Sequence, residues 1–321
     1  MGRRPFDYTL LVLTIVLVLF GIVMVFSASF YVAENSPSTN YDGYYYFWKQ
    51  VSGAAIGLVA MIAAMFFDYN KFLKLRYIIL GIALVLMLLV FVPGVGIEIN
   101  GSRRWVNLYF LDLQSVEVLK FAIIVFLAGS ISINQNRMRT FRYGMLPGLV
   151  LLAISAVLLY FQPNFSAVVT LALLVFVMVL VGGANLLQFA VMGVLGIAGG
   201  VVAMVATDYR INRILAFTDP WKYSGDLSYQ LIQSLYSIGS GGLFGLGLGN
   251  SRQKFLYLPY SESDCIFAII VEELGYVGGL AVLVVFGLLI WRGVRIALRA
   301  PNTFGMMLAT GITALIAIQV F

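Results

Sequence analysis

Residues Tyr236–Gly279 read YSIGSGGLFGLGLGNSRQKFLYLPYSESDCIFAIIVEELGYVGG. A glycine-rich approach and a polar, basic hinge end at Asp264, and an apolar run starts at Cys265 and continues to Trp291. That run exceeds the roughly 20 residues a helix needs to cross a bilayer. Asp264 is therefore expected at a membrane interface, at the mouth of a helix. Glu272 and Glu273 fall inside the same span, on faces about 100° apart. Glu272 lies roughly 12 Å beyond Asp264 along the axis. At least one of the two is expected to be a hydrogen-bonded structural residue.

The rest of the chain carries the same signature. Apolar residues make up 61% and charged residues 11%, with a mean hydropathy of +0.97, whereas soluble chains carry about 25% charged residues. The long runs lack the alternation of a membrane barrel, so the expected fold is an all-α, polytopic transmembrane bundle forming one membrane domain over residues 1–321. The chain has no histidine, which excludes imidazole bases, His-containing triads and His-ligated metals. Cys265 is the single cysteine, which excludes an intrachain disulfide and a cysteine cluster. Carboxylates, amines and hydroxyls are left to do the chemistry. The net charge of +6 is what basic cytoplasmic loops produce in an inner-membrane protein and calls for no nucleic acid.

Outward from the quoted stretch, hydropathy gives nine spans. The first is Tyr8 to Phe26, a retained helix that follows Arg3 and Arg4 and ends in Ser27-Ala28-Ser29; it is too long for a cleaved signal. A polar loop, Tyr31 to Phe47, precedes span two (Trp48 to Phe67). A turn bearing Lys71, Lys74 and Arg76 precedes span three (Tyr77 to Val92). Val95 to Ser115 is read as an outside loop. Span four is Val116 to Ile133, span five Leu146 to Phe161, span six Phe165 to Val181, and span seven ends near Ala206. The stretch Thr207 to Ser263 is a large extracytoplasmic loop, of a length usually functional, and span eight follows. Eleven of the twenty Lys and Arg residues then fall at inside positions, in agreement with the positive-inside rule and an inside N-terminus. Span nine begins near Phe304 and reads as unfinished at Phe321.

Several charges stand out. Glu117 and Lys120 share one helical face and can pair, either as a structural ion pair or as a functional intramembrane site. Arg103 and Arg104 sit in a short outside loop, where basic residues are scarce. They read as lipid-phosphate anchors or as guanidinium forks for a diphosphate, and Arg210, Arg213, Arg252 and Lys254 of the large loop could join them. The run Gly239 to Gly249 has neither dinucleotide-fold spacing nor a phosphate-loop lysine. No nucleotide site is expected, and close packing is the reading of its glycines.

QSLYSIGSGGLFGLGLGNSRQKFLYLP followed by SDCIFAIIVEELG resembles the SEDS family (shape, elongation, division and sporulation), above all its Gram-positive FtsW/SpoVE branch. The resemblance implies a peptidoglycan glycosyltransferase of ten spans, of which this chain holds about nine. It would polymerise lipid II on the outer face of the cytoplasmic membrane and work with a class B penicillin-binding protein in the division or elongation machinery. Asp264 would be the base. Arg103, Arg104, Glu117, Lys120, Arg252, Lys254 and Asn164 would bind substrate. Mg2+ or Mn2+ would help to offset diphosphate charge, with no particular metal ligands identified. The pattern supports Arg104 before Trp105, and Arg252 and Lys254 within SRQKF. Two sites depart from it: QPSE is Gln114-Ser115-Val116-Glu117 here, and QPDLGT is Gln162-Pro163-Asn164-Phe165-Ser166-Ala167, so an amide replaces a carboxylate. A lipid II flippase and a non-catalytic partner of the penicillin-binding protein are the alternative readings, and helix capping is the alternative role for Asp264.

Overall fold

The computed structural model describes residues 6–99, 102–107, 112–205, 217–222 and 226–321. Its backbone forms two compact units, Met1–Phe67 with Ile197–Leu289, and Asp68–Gly196 with Ile290–Phe321. Arg210 and Arg213 lie outside the described residues.

The first unit holds α1 (Tyr8–Glu34), α2 (Tyr45–Phe66), α8 (Asp226–Gly241) and most of α9 (Ile266–Leu298). The α1 helix starts where the Asp7 carboxylate accepts from Leu10 N at 3.0 Å, a side-chain cap for an otherwise unpaired amide. It runs past Ser27-Ala28-Ser29, where the sequence reading ends the first span. Small residues do not break a helix, and here they serve packing, since Ala28, Ser29 and Ala33 are fully buried. At its far end Phe26, Phe30, Tyr44 and Phe47 form a stacked and edge-to-face aromatic cluster that joins α1 to α2. A second correction falls in the large loop, where α8 occupies Asp226–Gly241. Its serines and glutamines masked the helix, but Ser228, Ile232 and Ser237 are buried along its length.

The second unit holds α3 (Asn70–Leu89), α4 (Ser115–Ile133), α5 (Leu146–Phe161), α6 (Phe165–Val181), the start of α7 (Leu186–Val205) and α10 (Thr303–Val320). Its centre is α4, whose Leu119, Ile123, Ile124 and Leu127 are buried against α3, α6 and α10. Gly311 of α10 permits this closeness: a Cβ there would lie 2.6 Å from Ile124 Cγ2. Spans five and six keep the bounds read from the sequence. Span three does not. Its helix begins at Asn70, so Lys71, Lys74 and Arg76 occupy its first turns, where their long aliphatic stems can lie along apolar surface while the charges reach water.

The all-α expectation also needs amendment between spans three and four. Three short strands, β1 (Gly96–Ile99), β2 (Ser102–Asn107) and β3 (Asp112–Gln114), form an antiparallel sheet in the order β1-β2-β3. Ile97 pairs with Trp105 and Trp105 with Gln114. The chain between β1 and β2 is Asn-Gly, a strong short-range hairpin signal that hydropathy does not register.

Among the described residues, six helices are long and apolar enough to cross a membrane (α1, α2, α3, α4, α9 and α10), and Leu146–Phe161, Phe165–Val181 and Leu186–Val201 are shorter apolar helices.

Candidate active site

The site of the first unit is built on an interruption of α9. Gly275 has φ 75°, a left-handed value that only glycine adopts without strain. The turn on either side of it therefore loses its helical hydrogen bonds, and backbone groups left unpaired at membrane depth cost several kcal/mol each. The glycine-rich run replaces them. Tyr276 N donates to Gly242 O at 2.9 Å and Val277 N to Leu243 O at 3.2 Å. In return Leu246 N donates to Glu272 O and Gly247 N to Glu273 O, each at 2.9 Å. Such backbone-to-backbone contact leaves no room for side chains. A Cβ on Gly241, Gly245 or Gly275 would stand 2.2, 2.2 or 2.3 Å from the carbonyl oxygen of Val271, Glu273 or Leu243 respectively. Gly241 and Gly245 thus pack into a broken helix.

The two carboxylates beside the break are both fully buried and fully engaged. Glu272 accepts from Ser237 Oγ at 2.8 Å, Ser240 Oγ at 3.3 Å, Ser251 Oγ at 2.6 Å and Arg252 N at 2.9 Å. Glu273 accepts from Ser27 Oγ at 2.8 Å, Ser251 N at 3.4 Å and Lys254 Nζ at 3.0 Å. Sequence reasoning expected at least one structural carboxylate here, and both are. It missed Ser27, Ser237 and Ser251, which no local signal could have linked to an acid 21 to 246 residues away.

Lys254, expected among the substrate-binding cations, is held here by protein partners. Its ammonium donates to Gly249 O at 2.6 Å, to Glu273 and to Ser27 Oγ at 3.4 Å, so its three donor positions are turned inward. Lys254 pins the loop.

Arg252 and Asp264 stand on the same loop with their side chains turned the other way. Both are exposed, and neither guanidinium nor carboxylate has a hydrogen bond or ion pair with a described residue. Asp264 is therefore not a helix cap, although α9 begins two residues later. The loop around them is fixed: Leu258 is buried with Ala28, Ala268 and Ile269, Tyr31 meets Phe255 edge-on at 4.6 Å, and Cys265 Sγ accepts from Gln230 Nε2 at 3.1 Å. An unengaged carboxylate and an unengaged guanidinium on an anchored backbone are suited to a proton acceptor and an anion grip.

In the second unit the helix pair α5–α6 is interrupted at Gln162-Pro163-Asn164. Arg104 reaches across from β2, donating from Nε to Gln162 O at 3.3 Å and from Nη2 to Pro163 O. These carbonyls end α5, and a cation there also meets the negative end of the helix dipole. Asn164 Oδ1 accepts from Ala167 N at 3.3 Å and caps α6. The amide in place of a carboxylate thus keeps a capping role, and Arg104 and Asn164 meet at one break. Gln162 is buried, and its Nε2 donates to Met87 O at 3.1 Å. Arg103 pairs across the hairpin with Glu98 at 3.1 Å, both largely exposed, a contact worth at most about 1 kcal/mol. Glu117 and Lys120 form the expected pair at 2.7 Å, with Lys120 only 5% exposed and Glu117 open. Among the described residues no three His, Cys, Asp or Glu side chains come together as a metal cluster.

The chain has counterparts among known proteins. The FtsW/RodA/SpoVE family, described as cell cycle proteins, matches residues 8–321, and the chain belongs to it. Stage V sporulation protein E of Bacillus subtilis is 39% identical over 314 residues, 98% of this chain and 85% of that one. A probable peptidoglycan glycosyltransferase FtsW of Trichlorobacter lovleyi is 38% identical over 322 residues, 99% and 84% of the two chains. Among solved structures, a chain of a peptidoglycan synthase complex that coordinates polymerization and crosslinking superposes with a TM-score of 0.77 at 25% identity, covering 99% of this chain and 86% of that chain. The rod shape determining protein RodA of Thermus thermophilus gives 0.67 at 25% identity, over 98% and 83%.

Proposed function

We propose that this protein is a peptidoglycan glycosyltransferase that polymerises lipid II on the outer face of the cytoplasmic membrane. The observation that carries the reading is Asp264, an exposed carboxylate with no described partner, on a loop whose backbone is tied down on both sides of it. Family membership and the names of its relatives support the reaction class.

In this reading the Asp264 carboxylate takes the proton of the GlcNAc 4-hydroxyl of an incoming lipid II. That oxygen attacks the anomeric carbon of the MurNAc at the end of the growing glycan, the bond to the lipid diphosphate breaks, and the configuration inverts. The diphosphate leaves without needing a proton, so one carboxylate suffices, in contrast to the acid and base pair of inverting hydrolysis. The value of Asp264 lies in being positioned against the hydroxyl. Among the described cations of this loop, Arg252 is free to meet the diphosphate. Lys120, Arg103 and Arg104 already spend part of their donors on protein partners and would offer a ligand the remainder. Mg2+ or Mn2+ would enter with diphosphate oxygens and water, as Mg2+ commonly does, since the described residues build no cage; no step here depends on it.

The topology in this reading has nine crossings, formed by the six long helices and the three shorter ones. The N-terminus lies inside and residues 207–263 outside, as the basic-residue asymmetry requires. The partner would be a class B penicillin-binding protein within the division or elongation machinery.

The test is Asp264→Asn in liposomes supplied with lipid II. The substitution keeps size and hydrogen-bonding shape and removes the basic lone pair. A general base contributes about 10² to 10⁴ in rate, so polymer should fall to about 1% or less of wild type while insertion and partner binding stay intact. Retention of more than about a tenth would refute Asp264 as the base. Translocation of fluorescent lipid without polymer by the wild-type protein would favour a flippase, and neither activity would favour a non-catalytic partner.

A further inference from the structure

We infer that Glu272, which takes no part in the chemistry, is the positioning residue of Arg252. The inference rests on the reading of Arg252 as a phosphate-binding group. A carboxylate offers about four lone-pair sites, and Glu272 has four donors around it. Two come from α8, Ser237 and Ser240, and two from the loop, Ser251 Oγ and the Arg252 amide. One buried acid thus joins α8, α9 and the loop at a single point.

The contacts alternate along the loop in a way that aims Arg252. Ser251 is fully buried with its hydroxyl on Glu272 and its amide on Glu273. Lys254 N donates to Ser251 Oγ at 3.3 Å and Lys254 Nζ to Glu273. Arg252 lies between these anchors with its amide held at 2.9 Å and its guanidinium exposed and unengaged. The backbone is fixed inward and the side chain projects outward. Hydrogen bonds to charged groups are about twice as strong as neutral ones, so the origin of the Arg252 side chain is set by Glu272. A displacement of about 1 Å at a positioning group can cost 10²-fold in rate.

The experiment is a double-mutant cycle read in kcat/KM for lipid II polymerisation, with thermal midpoints recorded for every variant. Its corners are wild type, Arg252→Ala, Glu272→Gln and Glu272→Gln/Arg252→Ala. Ser251→Ala repeats the cycle with a milder change that removes the adjacent loop contact to Glu272, so a poorly folding Glu272→Gln does not end the test. Groups that act as one unit are non-additive. Ser251→Ala and Glu272→Gln should each lower kcat/KM about tenfold with Arg252 present and less than about twofold once Arg252 is alanine. A merely structural role costs the same factor in both backgrounds, and that result would overturn the inference. Wild-type kcat/KM for Arg252→Ala would overturn the phosphate-binding reading itself, and this inference with it. A normal effect of Arg252→Ala with additive losses would sink the inference alone.

Discussion

The two units solve the same problem in different ways. Each holds an interruption of helix, at Gly275 within α9 and at the Gln162-Pro163-Asn164 turn between α5 and α6, and each leaves backbone groups that need new partners. In the first unit the repair is backbone on backbone, through glycines of the run 241–247. In the second it is side chain on backbone, through Arg104 and Asn164. A backbone repair tolerates no Cβ, yet it leaves nearby side chains available. That freedom lets the same loop place Arg252 and Asp264 outward while Glu272, Glu273 and Lys254 lock it from within. A side-chain repair draws on the groups that perform it: Arg104 spends its Nε and one Nη2 donor on the end of α5.

The largest effect is therefore expected from Gly275→Ala. It forces a Cβ to 2.3 Å from Leu243 O at φ +75°, and a strained residue of this kind costs about 1 to 3 kcal/mol before the clash is counted. Thermal unfolding should move down by several degrees and lipid II polymerisation should collapse with it. Gly239→Ala is the matched control, since a Cβ there meets nothing within 4 Å; an alanine inside a helix should be neutral or stabilise by about 0.5 to 1 kcal/mol. Equal losses in the two variants would mean the glycine plug is not what closes the break.

Next comes Arg104. Arg104→Ala removes two charge-assisted bonds to the end of α5 and should cost about 1.5 to 3 kcal/mol per bond formed to a charged group, seen as a lower unfolding midpoint in detergent. Arg104→Lys should recover only part of it, because an ammonium is a point donor and the guanidinium a planar fork. If Arg104→Ala unfolds at the wild-type temperature but polymerises poorly, Arg104 serves substrate, and the contrast between the breaks narrows.

The smallest effects belong to the cap. Asn164→Ala should lose about 1 kcal/mol of stability, the usual worth of an N-cap, whereas Asn164→Asp should stay within a few tenths because Asp caps equally well. The comparison is a melting experiment on three proteins. A large gain in polymerisation for Asn164→Asp without a change in melting would show that the carboxylate does something other than cap.

Much of the molecule is legible in the sequence. Hydropathy located spans five and six to the residue because Gln162-Pro163-Asn164 is a strong breaker between two apolar runs. The i, i+3 spacing of Glu117 and Lys120 foretold their pairing because a helix alone brings them together. The start of α3 was missed because charged residues with long stems obscure an apolar signal, and α8 because hydropathy ranks its serines and glutamines with loops.

By itself the sequence determined the class of fold and the placement of Asp264 at the head of a membrane helix, since both depend on local composition and on the length of apolar runs. Tertiary structure decided which charges are free. Arg252 and Lys254 lie two residues apart in one polar hinge, and nothing local distinguishes them. Only the fold, by bringing Glu273 of α9 and Ser27 of α1 against one and solvent against the other, makes Lys254 a pin and leaves the Arg252 guanidinium unengaged, because a buried ammonium must be fully paired and an exposed guanidinium need not be.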